Sequence, residues 1–483
     1  MKKKTRNLMI LLAVLVVLVG AYFLITALTR QEEELEQQAQ TLFSCEQSDI
    51  SKITYEYEEE KISLVYSGEN WIYEKDETFP LDQSYVETML SALSNVEVLR
   101  SFQAEDDLAS YGLSSPEAKV TALLDNGEEV TFSVGSYNDV TSSYYLMKEG
   151  DNNVYMTSSP IANAFTYGLM DLAQSGSIPE NFSDAEVYEI GYTSKDKKIK
   201  LSSPVTMETY YEDFLWQAQL GEDTMIASTQ AVNQIISEVQ SLDLSKLKAY
   251  NVDEKELLKL GFDDEIVLEF KYQYEVNDGS DEEETEEEPV YEEATLKIHF
   301  AKADEENYYA MLDGDTKVYT ISSTGIEDII SLDSDYLEIS EVFLLDFDTV
   351  EAMDVTYNDQ TYKVELSRET YTNESGYEEV DVSAKVDGKS VGGAYIEGFF
   401  EDILSMIKEA DATDDTKGQD VMKIVFYRNT QGEYQQMTLT FSEYDSSFMR
   451  ASFAGRDDML VNKRDVENLI TDFDEILGLI NRA

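Results

Sequence analysis

Cysteine and histidine are almost absent from this chain of 483 residues. Cys45 is the only cysteine, so no disulfide can form within the chain, and His299 is the only histidine. A serine or cysteine triad would have to use that one imidazole, which makes this class of enzyme improbable. An exported protein without disulfides is typical of cell envelopes that do not rely on oxidative folding.

Basic residues are scarce as well. The chain has 36 lysines and arginines against 99 aspartates and glutamates, which gives a formal net charge of −63. A surface this negative repels nucleic acid, so nucleic-acid binding is excluded. Hydrophobic residues make up 42% of the chain, enough to build real cores, and the 32 tyrosines favour sheet-rich structure.

The first 30 residues contain no acidic side chain. Four basic residues precede an uncharged apolar run from Leu8 to Leu28. At about 1.5 Å per residue, this run spans a bilayer core of about 30 Å. Basic residues before it and glutamates after it place the N-terminus in the cytoplasm. We therefore expect residues 1–30 to be a cytoplasmic tip and an uncleaved, single-pass signal-anchor in the lipid bilayer of the cell membrane. A stalk is expected at 31–48, with the bulk of the chain extracytoplasmic; a cleaved signal peptide is the alternative.

The rest of the chain repeats one pattern three times. In each copy, apolar and polar residues alternate on both sides of a polar turn, which predicts a hairpin with its apolar face inward. The repeated positions are Ile53, Tyr55, Ile62 and Leu64; Ile190, Tyr192, Ile199 and Leu201; and Val355, Tyr357, Val364 and Leu366. A third strand follows, with Trp71 in the first copy and Trp216 in the second.

An amphipathic helix is predicted after each hairpin, with Asp82 and Ser228 as N-caps in the first two copies. In these two copies a short helix then ends at Gly112 and at Gly261, where a left-handed C-terminal position favours glycine. Further strands and a closing helix complete each copy. The apolar stripes of the first helices are Val86, Met89, Leu90 and Leu93; Val232, Ile235, Ile236 and Val239; and Ile396, Phe399, Phe400, Ile403 and Ile407.

These elements predict an α+β fold of three tandem antiparallel-sheet-plus-helix modules behind the transmembrane helix. The modules are expected at 49–178, 179–338 and 339–483, with the third divergent. An acidic run at 275–293 interrupts a hairpin of the second module, and we expect it to be a solvated hairpin tip.

The first two copies share Tyr-Tyr and Val-Tyr strands, and the first has an Asn126-Gly127 hairpin that ends at Gly135 and Tyr111-Gly112-Leu113 followed by Pro116. In these motifs the two copies resemble a family of exported bacterial proteins known as domain of unknown function 4340. The resemblance covers about residues 50 to 335, and no catalytic residues come with it. It implies a membrane-tethered protein associated with an ABC-type transport system, whose permease, ATPase and auxiliary subunit would be its partners.

No residue pattern predicts a catalytic, cofactor-binding or metal-binding site. His299 lies on the polar side of a strand pattern, so we expect it to face solvent. Gly388-Lys389-Ser390 lacks the rest of a phosphate-binding loop and predicts a hairpin turn. Acid pairs such as Asp313/Asp315 and Asp346/Asp348 are candidate Ca²⁺ ligands, but no EF-hand spacing supports them, and close pairs are expected by chance among 99 carboxylates.

The densest basic cluster after the anchor lies on the first hairpin of the second copy. Lysines at such a place favour protection of an exposed strand edge, and contact with an anionic partner is the alternative. The cluster consists of Lys195, Lys197, Lys198 and Lys200.

Together these features favour a non-enzymatic binding or scaffold protein of the cell envelope, to which the family resemblance adds an accessory role in ABC-type transport. A tethered hydrolase that cleaves an envelope polymer with a carboxylate pair is the alternative, and an adhesin that binds polysaccharide through surface tyrosines is a third possibility. Two buried, adjacent carboxylates in one cleft would favour the hydrolase.

Overall fold

The structure is a computed structural model, and the residues that it describes are 40–58, 60–104, 107–158, 160–276, 289–372, 377–413 and 418–482. The predicted membrane helix at 8–28 and most of the acidic run lie outside these residues. Within the described ranges, no helix is both long and apolar enough to cross a membrane.

The first part of the described chain builds an eight-stranded sheet and a small two-stranded sheet. Its helices are α1 (Gln83–Ser94) and the short 3-10 helices Gln47–Asp49, Leu108–Tyr111, Pro160–Ala162 and Leu169–Leu172; the 3-10 helix Glu180–Phe182 that follows belongs to the middle part. Its strands are β1 (Gln40–Ser44), β2 (Ile50–Tyr57), β3 (Glu60–Tyr66), β4 (Trp71–Tyr73), β5 (Asn95–Val98), β6 (Arg100–Gln103), β7 (Ala118–Leu124), β8 (Glu129–Asn138), β9 (Ser143–Lys148) and β10 (Asn153–Thr157).

The middle part builds a nine-stranded sheet. Its helices are α2 (Thr229–Gln240), α3 (Glu254–Lys259), α4 (Glu327–Ser331) and the 3-10 helices Phe262–Asp264 and Ser323–Gly325. Its strands are β11 (Glu186–Thr193), β12 (Lys198–Ser202), β13 (Trp216–Leu220), β14 (Asp223–Ala227), β15 (Leu247–Ala249), β16 (Ile266–Glu275), β17 (Tyr291–Lys302), β18 (Asn307–Leu312) and β19 (Val318–Ser322).

The last part builds another nine-stranded sheet. Its helices are α5 (Gly393–Leu404), α6 (Lys463–Arg482) and the 3-10 helices Phe347–Thr349 and Glu433–Gln435. Its strands are β20 (Val350–Tyr357), β21 (Gln360–Thr372), β22 (Glu378–Val386), β23 (Lys389–Gly392), β24 (Ala410–Asp411), β25 (Asp420–Arg428), β26 (Gln436–Glu443), β27 (Phe448–Phe453) and β28 (Arg456–Asn462).

The three large sheets are antiparallel and follow one strand order. The first is β4-β3-β2-β7-β8-β9-β10-β6. The second is β14-β13-β12-β11-β16-β17-β18-β19-β15, and the third is β23-β22-β21-β20-β25-β26-β27-β28-β24. The second and third sheets therefore repeat the order of the first and add one outer strand, β14 or β23. The fold is mostly antiparallel sheet with few helices.

By its contacts the chain divides into two compact units. Unit 1 takes the chain up to Ser177 together with Asp243–Leu260 and Asn307–Ile321. Unit 2 takes Ile178–Leu242, Gly261–Glu306 and the chain from Ser322 onward. Residues Gln40–Ser44, which the sequence placed in the stalk, form strand β1 and pair with β5.

Bulges in β2, β11 and β20 show which residues are equivalent in the three sheets. Counted from the bulge, Tyr55, Tyr192 and Val355 occupy the same position, whereas Tyr357 lies two residues further along its strand. The predicted equivalence of Tyr357 with Tyr55 is therefore wrong by two residues. A slip of two residues preserves the alternation of apolar and polar side chains, so the pattern could not reveal it. The bulges lie between Ile50 and Lys52, Val187 and Glu189, and Val350 and Ala352.

The helices predicted after each hairpin and their two caps are present, whereas the closing helix predicted for the first copy is replaced by the short 3-10 helices Pro160–Ala162 and Leu169–Leu172. Asp82 accepts a hydrogen bond from the backbone N–H of Ser84 at 2.9 Å, and Ser228 accepts one from Ala231 at 3.3 Å. The third helix ends at Leu404, so Ile407 lies outside it with 52% of its surface exposed, and its place in the apolar stripe was wrong. The buried stripe residues are Val86, Met89, Leu90, Leu93, Val232, Ile235, Val239, Ile396, Phe399, Phe400 and Ile403.

Candidate functional site

The lysine cluster predicted as a partner contact is largely engaged in ion pairs. Carboxylates of Asp264, Asp333 and Glu189 lie 3.8, 3.7 and 2.7 Å from the side-chain nitrogens of Lys195, Lys197 and Lys200. In the described part of the chain, Lys198 has no such partner. Binding of an external partner by this cluster stays a prediction.

Strand β12 carries Lys198 and Lys200 and is not an edge strand, because it pairs with β11 on one side and β13 on the other. The predicted edge protection is therefore wrong. Lys200 instead lies on the open face of the sheet, where it and Lys271 each bind Glu189 at 2.7 Å. Hydrogen bonds from these two lysines hold the pKa of Glu189 below its usual value. Such cross-strand pairs are typical of the solvent side of an antiparallel sheet.

The single histidine and the turn at Gly388-Lys389-Ser390 have structural roles. His299 is less exposed than its pattern predicted, with 16% of its side chain accessible, and its Nδ1 lies 2.9 Å from the carboxylate of Glu265. Asp387 and Gly388 have φ angles of 49° and 77° in the turn between β22 and β23, as predicted for a hairpin.

The acid pairs considered for calcium also make local contacts. Asp315 lies 3.4 Å from the ammonium nitrogen of Lys317, and Asp346 accepts a hydrogen bond from the backbone N–H of Asp348 at 2.9 Å. Across the described ranges, no group of three or more histidine, cysteine or acidic side chains is arranged to hold a metal ion.

Two arrangements bear on the hydrolase alternative. The carboxyl groups of Asp402 on α5 and Asp472 on α6 are neighbours, and burial and this neighbour raise the pKa of Asp402. Asp402 is nevertheless largely exposed. Glu238 is more buried, which raises its pKa, but it accepts the backbone N–H groups of Asp328 and Ile329 at 3.0 and 3.2 Å and so caps α4. Neither arrangement is a buried carboxylate pair in a cleft.

A cavity of about 580 Å³ lies within unit 2. Its volume falls in the range of about 300–1,000 Å³ that is usual for ligand pockets. Edge strand β14, the segment 207–214, the segment 334–339 and the turn between β27 and β28 form its walls. It is lined by Met207, Glu208, Thr209, Tyr210, Phe214, Thr224, Met225, Ile226, Ser334, Asp335, Glu338, Ile339, Tyr434, Ala454, Gly455 and Arg456.

One wall of the cavity is an aromatic cluster centred on Tyr210. The ring centroids of Phe214, Tyr434 and Phe453 lie 5.2, 5.6 and 5.5 Å from that of Tyr210, all in edge-to-face geometry. Such pairs contribute about 0.5–1.5 kcal/mol each beyond their burial. Tyr210 also packs against the core of the third sheet, and its burial raises its pKa. This wall is therefore fixed in place.

Two charged groups at the cavity are already bound to the protein. The Arg456 guanidinium donates to the carbonyl oxygens of Ile339 and Glu341 at 3.2 and 2.8 Å. Glu338 accepts a hydrogen bond from Lys408. By contrast, Glu208 and Asp335 are exposed and have no ion pair within the described part of the chain. The cavity thus has a lining of mixed polar and apolar groups, with two exposed carboxylates at its rim that have no ion pair in the described ranges.

The sequence reasoning missed this cavity, although one signal was present. Leu64 is followed by Trp71 after six residues, whereas the equivalent Leu201 is separated from Trp216 by fourteen. The extra residues form the segment that carries Tyr210 and Phe214.

A family model described as Domain of unknown function (DUF4340) matches residues 71–203 and 216–414, more than half of the chain. The chain belongs to this family. Both matched segments of this DUF4340 protein begin at a tryptophan that opens a third strand, Trp71 and Trp216, as tandem copies require. The second match extends beyond residue 335, the limit expected from the sequence. No curated protein and no solved structure matches the chain.

The residues that carried the family resemblance form one structural contact in unit 1. A Cβ atom placed on Gly135 would lie 2.2 Å from the carbonyl oxygen of Tyr111, and one placed on Gly112 would lie 2.5 Å from the backbone nitrogen of Ser136. The rings of Tyr111 and Tyr145 meet edge-to-face at 5.0 Å. The motif therefore allows the glycine-stopped helix to approach β8 closely, and its role here is packing.

Proposed function

We propose that this DUF4340 protein is a membrane-anchored, non-enzymatic binding or scaffold protein that works outside the cytoplasm as an accessory part of an ABC-type transport system. The anchor at 8–28 supports the membrane location, and the family resemblance supplies the transport system. The observation that supports binding is the cavity of unit 2, with its fixed aromatic wall around Tyr210 and its exposed carboxylates Glu208 and Asp335.

The state of the polar groups supports binding over catalysis at this cavity. Arg456 and Glu338 are engaged with the protein itself, so they hold the walls in place and do not present reactive groups. Nucleophilic or acid–base catalysis needs a group positioned by a second one beside the substrate. The carboxylate pair of Asp402, which is exposed, and Asp472, which is half-buried, does not line the cavity.

We further propose that the three large sheets are three modules, at 49–178, 179–338 and 339–483. The shared strand order supports this division. The second and third modules are not fully separate, however, because Tyr210 is assigned to the second module and packs against the core of the third. On this proposal, the second and third modules form one binding body around the cavity.

Purification of the tagged full-length protein in mild detergent tests the transport role. We expect a permease and an ATPase to be recovered with it. A variant in which residues 8–28 are replaced by an unrelated transmembrane helix should still recover them, since the extracytoplasmic part is proposed to make the contact. Recovery of the chain alone, with release of saccharide from purified cell wall that is lost in Asp402→Asn, would establish the hydrolase alternative.

A further inference from the structure

Strand β14 is the outer strand of the second sheet, so no strand of the described ranges lies beside one side of its backbone. It forms a two-residue hairpin with β13, in which Leu220 and Asp223 flank the turn. The pair beside such a turn exchanges hydrogen bonds, and bonded pairs then alternate along an antiparallel ladder. The backbone N–H and C=O groups of Thr224 and Ile226 therefore point away from β13.

The next outward-pointing position is already used by the protein. The backbone N–H of Ser228 donates to the carbonyl oxygen of Leu337 at 2.9 Å. The chain around Leu337 thus bonds on the same open side at one position, Ser228, directly after the end of β14. At the following positions, Ile226 and Thr224 instead line the cavity. The cavity lies where a further strand would continue.

We infer that the cavity binds an extended, basic segment of another polypeptide, which adds to the sheet as a strand beside β14. This inference rests on the proposed binding role and names its ligand. Main-chain bonds to an exposed sheet edge supply affinity, and alternate side chains supply selectivity. Here one side-chain row enters the part of the cavity between Met225 and the aromatic wall of Tyr210 and Tyr434, where the lining side chains are largely apolar.

Charge selects the ligand. Glu208 and Asp335 at the rim are exposed and have no ion pair in the described ranges, and the whole chain carries a net charge of −63. A segment with lysine or arginine next to its apolar residues is attracted, and an acidic segment is repelled. The methionines at positions 207 and 225 are flexible and polarizable, which suits a surface that accepts varied apolar side chains.

The test uses the full-length protein in detergent and a short labelled peptide in which valine and lysine alternate. We expect saturable binding that weakens with salt, and at least tenfold weaker binding when glutamate replaces lysine. Two further peptides carry N-methyl groups on the odd-numbered or on the even-numbered residues. One of them should not bind and the other should bind almost as well as the unmodified peptide, because only one set of N–H groups faces β14.

Two proline variants distinguish a loss of peptide binding at the edge of β14 from a general loss of stability. Thr224→Pro removes an outward N–H without breaking a bond to β13, and we expect at least tenfold weaker peptide binding. Ser390→Pro is the matched control, since Ser390 holds the same position after a two-residue turn on outer strand β23, away from the cavity. It should leave binding unchanged.

The inference would be overturned if the lysine and glutamate peptides bound equally well. It would also be overturned if N-methylation of the odd-numbered and of the even-numbered residues had equal effects on binding. The absence of saturable binding to any of these peptides would overturn it as well. Recovery of a permease and an ATPase with the purified chain does not depend on these results, so failure of the strand-addition site is distinguishable from failure of the transport role.

Discussion

Glu189 is the residue that ties three strands together on the open face of the second sheet. It lies on β11 and accepts hydrogen bonds from Lys200 on β12 and Lys271 on β16. The sequence showed the lysines as a cluster but not their carboxylate partners, because Asp264 and Asp333 are far from them along the chain. Charge runs therefore predict surface potential better than they predict free binding groups.

Replacement of Glu189 by glutamine should change how stability depends on pH. The pKa of Glu189 is lowered in the folded protein, so its ion pairs stabilise the fold above the ordinary pKa of glutamate. This stabilisation is lost as the pH falls through the lowered value. We expect Glu189→Gln to lower the free energy of unfolding by about 0.5–1 kcal/mol at neutral pH and by much less in acid, measured by urea unfolding at both pH values. The exposed turn residue Glu222 is the control, because Glu222→Gln should show no such difference. An equal loss at both pH values would contradict this role of Glu189.

At the scale of elements, the contact between the glycine-stopped helix and β8 sets how the first copy packs. Gly112 has a φ of 69°, and its Cα lies against the backbone of Ser136, so both conformation and space require glycine. Leu113 then donates its backbone N–H to the carbonyl oxygen of Leu108 at 3.0 Å, which closes the helix end as predicted.

Gly112→Ala should therefore be more destabilising than a matched glycine substitution. Gly127 has a φ of 87° in its hairpin turn, and a Cβ there would meet nothing within 4 Å. Gly127→Ala should lower the free energy of unfolding by about 1–2 kcal/mol, because only the left-handed backbone conformation opposes the alanine. Gly112→Ala adds a clash with the backbone of Ser136. We therefore expect it to lower the free energy of unfolding by about 1–3 kcal/mol more than Gly127→Ala does, measured by chemical denaturation. Similar losses for both variants would show that the close approach relaxes at little cost.

Local patterns predicted the elements well and their alignment less well. Hairpins, caps and glycine stops depend on residues near in sequence, which explains why Asp82, Ser228 and Gly112 were identified correctly. The slip at Tyr357 and the extension to Ile407 were errors of register and length, which depend on distant contacts. The cavity arises from an insertion and an edge strand, features that periodicity does not detect.

For the whole molecule, the repeated strand order means that one topology was used three times with different outer strands. The first sheet ends at β4, whereas the second and third continue to β14 and β23. The candidate binding surface depends on such an addition, since β14 forms a wall of the cavity. Differences between the copies, more than their shared core, therefore locate the proposed site.

The expected membrane topology can be tested on intact cells. Because basic residues precede the apolar run at 8–28 and glutamates follow it, we expect protease added to wall-stripped cells to degrade the chain after about residue 31. Detection of both ends by terminal tags measures this directly. Protection of the C-terminal tag would reverse the topology, and a mature N-terminus near residue 30 would replace the anchor with a signal peptide.

The hairpin of β16 and β17 has a consequence for experiments on this protein. Its strands remain paired as far as Glu275 and Tyr291, and Val276 donates its backbone N–H to the carbonyl oxygen of Val290 at 2.8 Å. The acidic residues between Val276 and Val290 are thus joined to a stem of two paired strands. The ladder of hydrogen bonds between β16 and β17 fixes the register of that stem. An epitope or fluorophore-labelling sequence exchanged for residues 277–288 would join the chain at two neighbouring points and leave that ladder intact. The run is therefore a suitable internal labelling position, away from both termini.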